Sequence, residues 1–300
     1  GTGIFVGPND LGSNPLVADT DGDTYTDGQE LLAGSNPNDP NSIPAPKPVV
    51  ELDAAALAEG AVTAWPNAGS IGGSFTPSGA PQVTTLQTIK GVTLNGTTDF
   101  LTGPAVPAFL GGNSSRTVEA WVFNPAAADE ETIFSWGRRG GPDGSNCSFN
   151  HGLNASFGAV GHWGGPDIGW NNVGPYTSRW TYVVYTWDGP NLTTAVYADG
   201  QEANTETLVA GLNTWTVSDT GAALPFRIGS QNDANGAPTA GLRGSLSVAR
   251  LRVHDRVLSA TDISAKYTQE AGDFGLIDFD NDRSEERRVG KECRYRWAPY

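Results

Sequence analysis

The sequence predicts an all-β protein: two antiparallel sheets packed face to face, preceded by a short acidic segment with almost no core of its own. Three observations carry this reading. Apolar and β-branched residues fall in short alternating runs, not at helical spacing. Turn formers separate those runs throughout, with 39 Gly and 20 Pro in 300 residues. The net charge is −15, and carboxylates crowd together between Asp19 and Glu30.

The sandwich is expected over residues 49–272. Residues 116–123 (RTVEAWVF) alternate, with Val118, Ala120 and Val122 on one face and Glu119, Trp121 and Phe123 on the other. Residues 180–187 (WTYVVYTW) are aromatic and β-branched. Asp188-Gly189 turns the chain into a further strand at 194–198, and Asp199-Gly200 turns it again, which makes a meander. Residues 244–253 (GSLSVARLRV) form the last long strand. Leu246 and Val248 share one parity and Leu251 and Val253 the other, so a β-bulge is expected near Ala249-Arg250. A short helix follows, with Ser259 as N-cap, Asp262 at the capping-box position, and Ile263 and Tyr267 on one face.

The acidic segment reads DTDGDTYTDGQE from Asp19 to Glu30. Asp19, Asp21, Asp23, Asp27 and Glu30 stand at loop positions one, three, five, nine and twelve, and Tyr25 at position seven offers its carbonyl. Calcium takes roughly six to eight oxygen ligands in flexible geometry, which this spacing wraps around one ion. Without a cation, carboxylates so close together repel. The loop departs from an EF-hand: Thr24 holds position six, where Gly is usual, and Gly22 holds position four. Glu30 is expected to open a short helix through Ala33, stopped by Gly34. Gly-Ser-Asn-Pro occurs at 12–15 and again at 34–37, a period of 22. Residues 1–42 are therefore read as a calcium-binding repeat. Residues 43–48, with Pro44, Pro46 and Pro48, are read as an extended linker.

Composition excludes several functions. A charge of −15 disfavours nucleic acid and anionic membrane as partners, and no apolar run is long enough to insert in a bilayer. Catalysis is not expected. A glycosidase needs two converging carboxylates; Glu51 and Asp53 have only alanines beyond them, and Asp129-Glu130-Glu131 reads as a charged loop. No nucleophile, metalloprotease or phosphate-loop motif is present. Cys147 reads as a buried side chain and Cys293 lies in the basic tail, so no disulfide is expected. The Asn-x-Ser/Thr sites at Asn95, Asn113, Asn146, Asn154 and Asn191 are close to chance in so Asn-, Gly- and Thr-rich a chain.

Residues 136–170 are the unusual stretch. They repeat Gly-Gly-Pro-Asp at 140–143 and 164–167 and carry the candidate ligand residues Arg138, Asp143, Asn146, His151, His162, Trp163, Asp167 and Trp170. Exposed aromatics beside amides, carboxylates and arginine suit a sugar, whose CH faces stack and whose hydroxyls hydrogen-bond. The competing reading is that Trp136 and Trp170 plug the sandwich and that both histidines are structural. A zinc site at His151 and His162 lacks an obvious fourth ligand.

Three resemblances complete the reading. Residues 1–42 resemble bacterial thrombospondin type 3 repeats, which implies calcium-loaded stalk units; residues 273–282, with Asp278, Asp280 and Asp282, resemble the start of another. VTLNGTTDFL, RTVEAWVFNP, YVVYTWDG, AVYADGQ and GSLSVARLRVHDRVLSATDI resemble concanavalin A-like, laminin-G-like jelly-roll domains. That implies loops that bind carbohydrate, protein or calcium, and a strand-end structural role for His254 and Asp255. Residues 283–300 (RSEERRVGKECRYRWAPY) resemble a translated sequencing adapter and are set aside as a non-native tail. The expectation is a non-catalytic, calcium-binding module of a secreted or surface protein, bacterial in character, with a glycan or extracellular protein as partner. The rival expectation is a purely structural stalk-and-sandwich segment; a glucanase-type glycoside hydrolase ranks third.

Overall fold

The computed structural model describes residues 16–33, 35–42, 46–165, 167–171 and 174–276, together with residue 12. The chain divides into two compact units, 1–47 and 48–300. The acidic stretch 278–282, the basic tail 283–300, residues 43–45 of the proline-rich segment and most of the first Gly-Ser-Asn-Pro lie outside the described residues.

In the first unit an irregular acidic loop leads into the helix Asp27–Ala33. The helix begins three residues before the expected Glu30. Thr26 explains the difference: Gln29 N donates to Thr26 Oγ1 at 3.3 Å while Thr26 N donates to Gln29 Oε1 at 2.8 Å. That is a capping box, Thr-x-x-Gln, written in the sequence.

The second unit is the expected two-sheet jelly-roll sandwich. Among the described residues one sheet has nine strands, running Gln201–Thr207, Thr193–Ala198, Trp180–Asp188, Arg116–Phe123, Ser247–His254, Ile89–Thr93, Gln82–Leu86 and Gly60–Ala61, with Val50–Asp53 also paired to Ser247–His254. The other has seven: Val160–Gly161, Asn146–Asn150, Thr132–Gly137, Pro225–Ile228, Phe100–Ala105, Ser74–Ser78 and Trp65–Pro66. All the pairings are antiparallel. The register of Ser247–His254 against Arg116–Phe123 shifts between Val248 and Arg250, the bulge that the change of parity requires.

Val118, Ala120 and Val122 point between the sheets into a core shared with Phe134, Trp136, Phe226 and Val248. The opposite face of the nine-stranded sheet is covered as well. The helix Ala260–Glu270 starts at Ser259 with the expected capping box to Asp262. It seats Ile263 on Trp121, Trp180 and Tyr182, and Phe274 beyond it stacks on Trp121 with centroids 3.8 Å apart. The central strands Arg116–Phe123 and Trp180–Asp188 are therefore buried on both faces, so Trp121 and Glu119 are as enclosed as the aliphatic residues between them.

Candidate functional site

The seven-stranded sheet ends at an edge formed by Asn146–Asn150 and Val160–Gly161. Next to that edge is a cleft of about 220 Å³, lined chiefly by Glu130, Arg139, Asn146, Phe157, Trp163 and Asp167. Asn146 opens its strand opposite Gly137. Trp163 and Asp167 come from the loop after Val160–Gly161, and Glu130 precedes Thr132–Gly137.

Trp163 is the best-positioned aromatic. It adopts φ 67°, followed by Gly164 at 74° and Gly165 at 109°. Left-handed backbone at a bulky residue costs on the order of 1–3 kcal/mol, so its surroundings must hold it. They do: Trp163 Nε1 donates to Gly141 O at 2.9 Å, Gly144 N donates to Trp163 O at 2.9 Å, and the Arg139 guanidinium lies 5.2 Å from the ring centroid. The indole remains only half-buried. It is a fixed platform that still offers surface.

The polar groups around it are cross-linked. Arg139 donates to Glu130 Oε1 at 3.2 Å and to Gln231 Oε1 at 3.2 Å. Gln231 Nε2 donates to Glu130 at 2.8 Å, and Asn146 Nδ2 donates to Gln231 Oε1 at 3.0 Å. Asn146 is buried, and its Oδ1 has no hydrogen-bond partner. Asp167 Oδ1 accepts from His162 N at 2.6 Å. Burial raises the pKa of Asp167, and the charge of Glu130 adds to the rise.

The structure sorts the eight candidate ligand residues. Asn146, Trp163 and Asp167 meet in the cleft. Asp143 lines a neighbouring hollow with Gly144 and Gly164. The other four line neither depression and are buried elsewhere. Arg138 sits 3.8 Å from the Trp215 ring centroid and pairs with Asp219. His162 Nε2 hydrogen-bonds Tyr185 Oη at 2.8 Å. His151 contacts Asn124, and its pKa is pushed down by burial to about 4. Trp170 donates from Nε1 to Gly158 O at 3.1 Å within the core. Trp136 is enclosed in the same core. Sequence reasoning missed Glu130, Phe157 and Gln231. The triplet Asp129-Glu130-Glu131 splits three ways: Asp129 stays in solvent, Glu130 faces the cleft, and buried Glu131 accepts from Asn124 and Ser245.

The acidic loop of the first unit is the second candidate. Asp19, Asp21 and Asp23 each bring an oxygen within 4.8 Å of the others. Gly22 N and Thr24 N donate to Asp19, and Tyr25 N donates to Asp23. Glu30 is 0% exposed, and its Oε2 has no hydrogen-bond partner, like one oxygen each of Asp21 and Asp23. The pKa of Asp21 and of Glu30 is raised, by burial first and then by the neighbouring carboxylates. Asp27 is placed differently: both its oxygens accept from Thr20, at 2.8 and 2.7 Å, so it braces the loop. A buried carboxylate beside a carboxylate cluster, with Ser35 Oγ on one oxygen and no donor on the other, fits a hard oxygen-loving cation.

The sequence profile of the concanavalin A-like lectin/glucanases superfamily matches residues 95–264. Among curated protein sequences none matches significantly. Among solved structures, a Trypanosoma rangeli sialidase in complex with 2,3-difluorosialic acid is 17% identical, with a TM-score of 0.48 over 76% of this chain and 34% of that one. Domain 4 of an extracellular GH43 arabinanase from Geobacillus stearothermophilus, in complex with arabinotriose, is 17% identical, with a TM-score of 0.46 over 73% of this chain and 97% of that one. The botulinum neurotoxin serotype D binding domain is 11% identical, with a TM-score of 0.47 over 75% and 52%. The chain thus spans about a third of the sialidase. No helix among the described residues is long and apolar enough to cross a membrane.

Proposed function

The chain belongs to the concanavalin A-like lectin/glucanases superfamily, and on that premise we propose that its sandwich is a non-catalytic carbohydrate-binding module of an extracellular or surface protein. The observation that carries this is Trp163: a half-exposed indole, locked at φ 67°, walling a cleft that also presents two carboxylates, a guanidinium and an amide beside Phe157. A sugar ring can stack on the indole while its hydroxyls reach Glu130, Asn146 and Asp167. Glu130 Oε1 is tied to Arg139 and Gln231, and Asp167 Oδ1 accepts from a backbone amide, so both carboxylates are held in place for sugar hydroxyls.

The acidic loop adds calcium to this reading. Asp19, Asp21, Asp23 and Glu30 would supply carboxylate oxygens and Tyr25 a carbonyl, with Asp27 as brace. Calcium there neutralises the cluster and stiffens the segment that carries the sandwich.

A second reading, a stalk-and-sandwich segment with a structural role or a protein partner, is favoured by the burial of His151, His162 and Trp170. A glycan array probed with the full chain in calcium and in chelator, alongside Trp163→Ala and Asp167→Asn, separates the two. The expected result is a set of hits lost in both variants. Hits that persist in Trp163→Ala, or a blank array, would sink the carbohydrate reading of this cleft.

A further inference from the structure

We propose that the cleft at Trp163 and a second hollow beyond Gly164 form a single groove, which binds a neutral oligosaccharide lying across Gly164. This rests on the carbohydrate-binding reading of the cleft. The hollow, about 450 Å³, lies between Asp143, Gly144 and Gly165 on one side and residues 207–212 on the other. Gly164 lines both depressions. The cleft alone, about 220 Å³, is smaller than ordinary small-molecule sites, which run from roughly 300 to 1,000 Å³. Cleft and hollow together fall within that range.

The residue between them is shaped to be crossed. Gly164 has φ 74°, and a Cβ there would collide with the Asp143 carboxylate. The place of a Gly164 side chain is taken by the Asp143 carboxylate, so a ligand that crosses here meets exposed backbone flanked by that carboxylate.

The two halves differ in chemistry as the parts of a glycan do. The cleft offers ionic and amide groups for hydroxyls. The hollow offers backbone and the aliphatic Leu208, Val209 and Ala210, with Val209 fully exposed. One ring cannot serve both halves; linked rings can. Charge decides the class of sugar. Glu130, Asp143 and Asp167 set three carboxylates against the single guanidinium of Arg139. A uronate or sialate meets net repulsion there, and a neutral chain does not.

The test is titration calorimetry of the full chain with β-1,4-linked ladders of xylose, glucose and N-acetylglucosamine, one to six units long, and a galacturonate ladder. Wild type, Val209→Glu and Trp163→Ala are compared. Wild type should bind three units at least tenfold more tightly than one, and galacturonate not at all. Val209→Glu should bring the ratio of three-unit to one-unit affinity close to one, and Trp163→Ala should lose binding at every length. Equal wild-type affinity for one and three units, an unchanged ratio in Val209→Glu, or preferred binding of galacturonate would each overturn the groove. Failure to bind any ladder removes the carbohydrate reading as well, whereas single-unit binding with no length dependence removes only the groove.

Discussion

His254 Nε2 stands 3.0 Å from Glu119 Oε1, both side chains buried on the face of the nine-stranded sheet that the C-terminal helix covers. The other Glu119 oxygen accepts from Tyr182 Oη. Arg252 then spans the gap to the helix, 3.6 Å from Glu119 and 2.7 Å from Glu270, and Glu270 accepts from Trp121 Nε1 at 2.7 Å. Removing one member strands the rest in a dry environment. Glu119→Gln should therefore lower unfolding free energy by about 3–5 kcal/mol, as measured by urea denaturation. A loss under roughly 1 kcal/mol, the range of exposed pairs, would show that the network is solvated.

Acid should weaken the same contact. Burial alone would raise the pKa of Glu119, but the hydrogen bond from His254 and the charge of Arg252 outweigh it and hold the carboxyl at about 2. Its folded pKa lies below the unfolded value, so its contribution is fully present above about 4.5 and is lost as pH falls through about 2. Urea midpoints at pH 7, 4 and 2 should fall most steeply over the last interval, and that steep component should be missing in Glu119→Gln.

Adjacent arginines should behave oppositely. Arg138 is buried over Trp215, whereas Arg139 reaches the cleft over Trp163. Arg138→Ala should cost about 2 kcal/mol in packing and cation–π contact and lower the melting temperature by several degrees. Arg139→Ala should leave melting nearly unchanged while altering the array profile. Equal melting losses would contradict the assignment.

Calcium should bind with proton release. The pKa of Asp21 and of Glu30 is raised, so the metal-free loop takes up protons at higher pH than free carboxylates do, and calcium competes with them. Affinity should fall as pH drops toward the carboxylate range, and Asp21→Ala with Asp23→Ala should abolish binding in calorimetry. Unchanged stoichiometry in the double variant would place the ion elsewhere.

Cys147 should resist alkylation. It is a free thiol buried in the core, and burial pushes its pKa up to about 11. Iodoacetamide should label it only at the rate of unfolding; rapid labelling of the native protein would show that the sandwich opens locally.

Strands, Asp-Gly turns, the bulge at Ala249 and the helix cap at Ser259 were legible because each depends on residues close in sequence. The direction of the loop side chains was not. Residues 136–170 are rich in Gly, so their aromatics and histidines read as an exposed surface. Yet Trp170 and His162 are drawn into the core by contacts with Gly158 and Tyr185. Glu130 was missed for the converse reason: Arg139 lies beyond the intervening strand Thr132–Gly137, and Gln231 is 101 residues away and is brought close only by sheet pairing. Likewise, alternation in residues 116–123 separates two faces but does not say that a helix more than 130 residues later covers the second. Thr26-x-x-Gln29, by contrast, was readable and marks the true start of the first helix.

Val50 pairs with Val253, so the first strand of the sandwich lies beside the last. Asp53 and Asp273 grip the same guanidinium, Arg250, at 3.3 and 3.0 Å. The first strand and the segment after the helix Ala260–Glu270 are thus fastened to a single guanidinium, so loosening either one leaves the other holding an arginine that has lost part of its counter-charge.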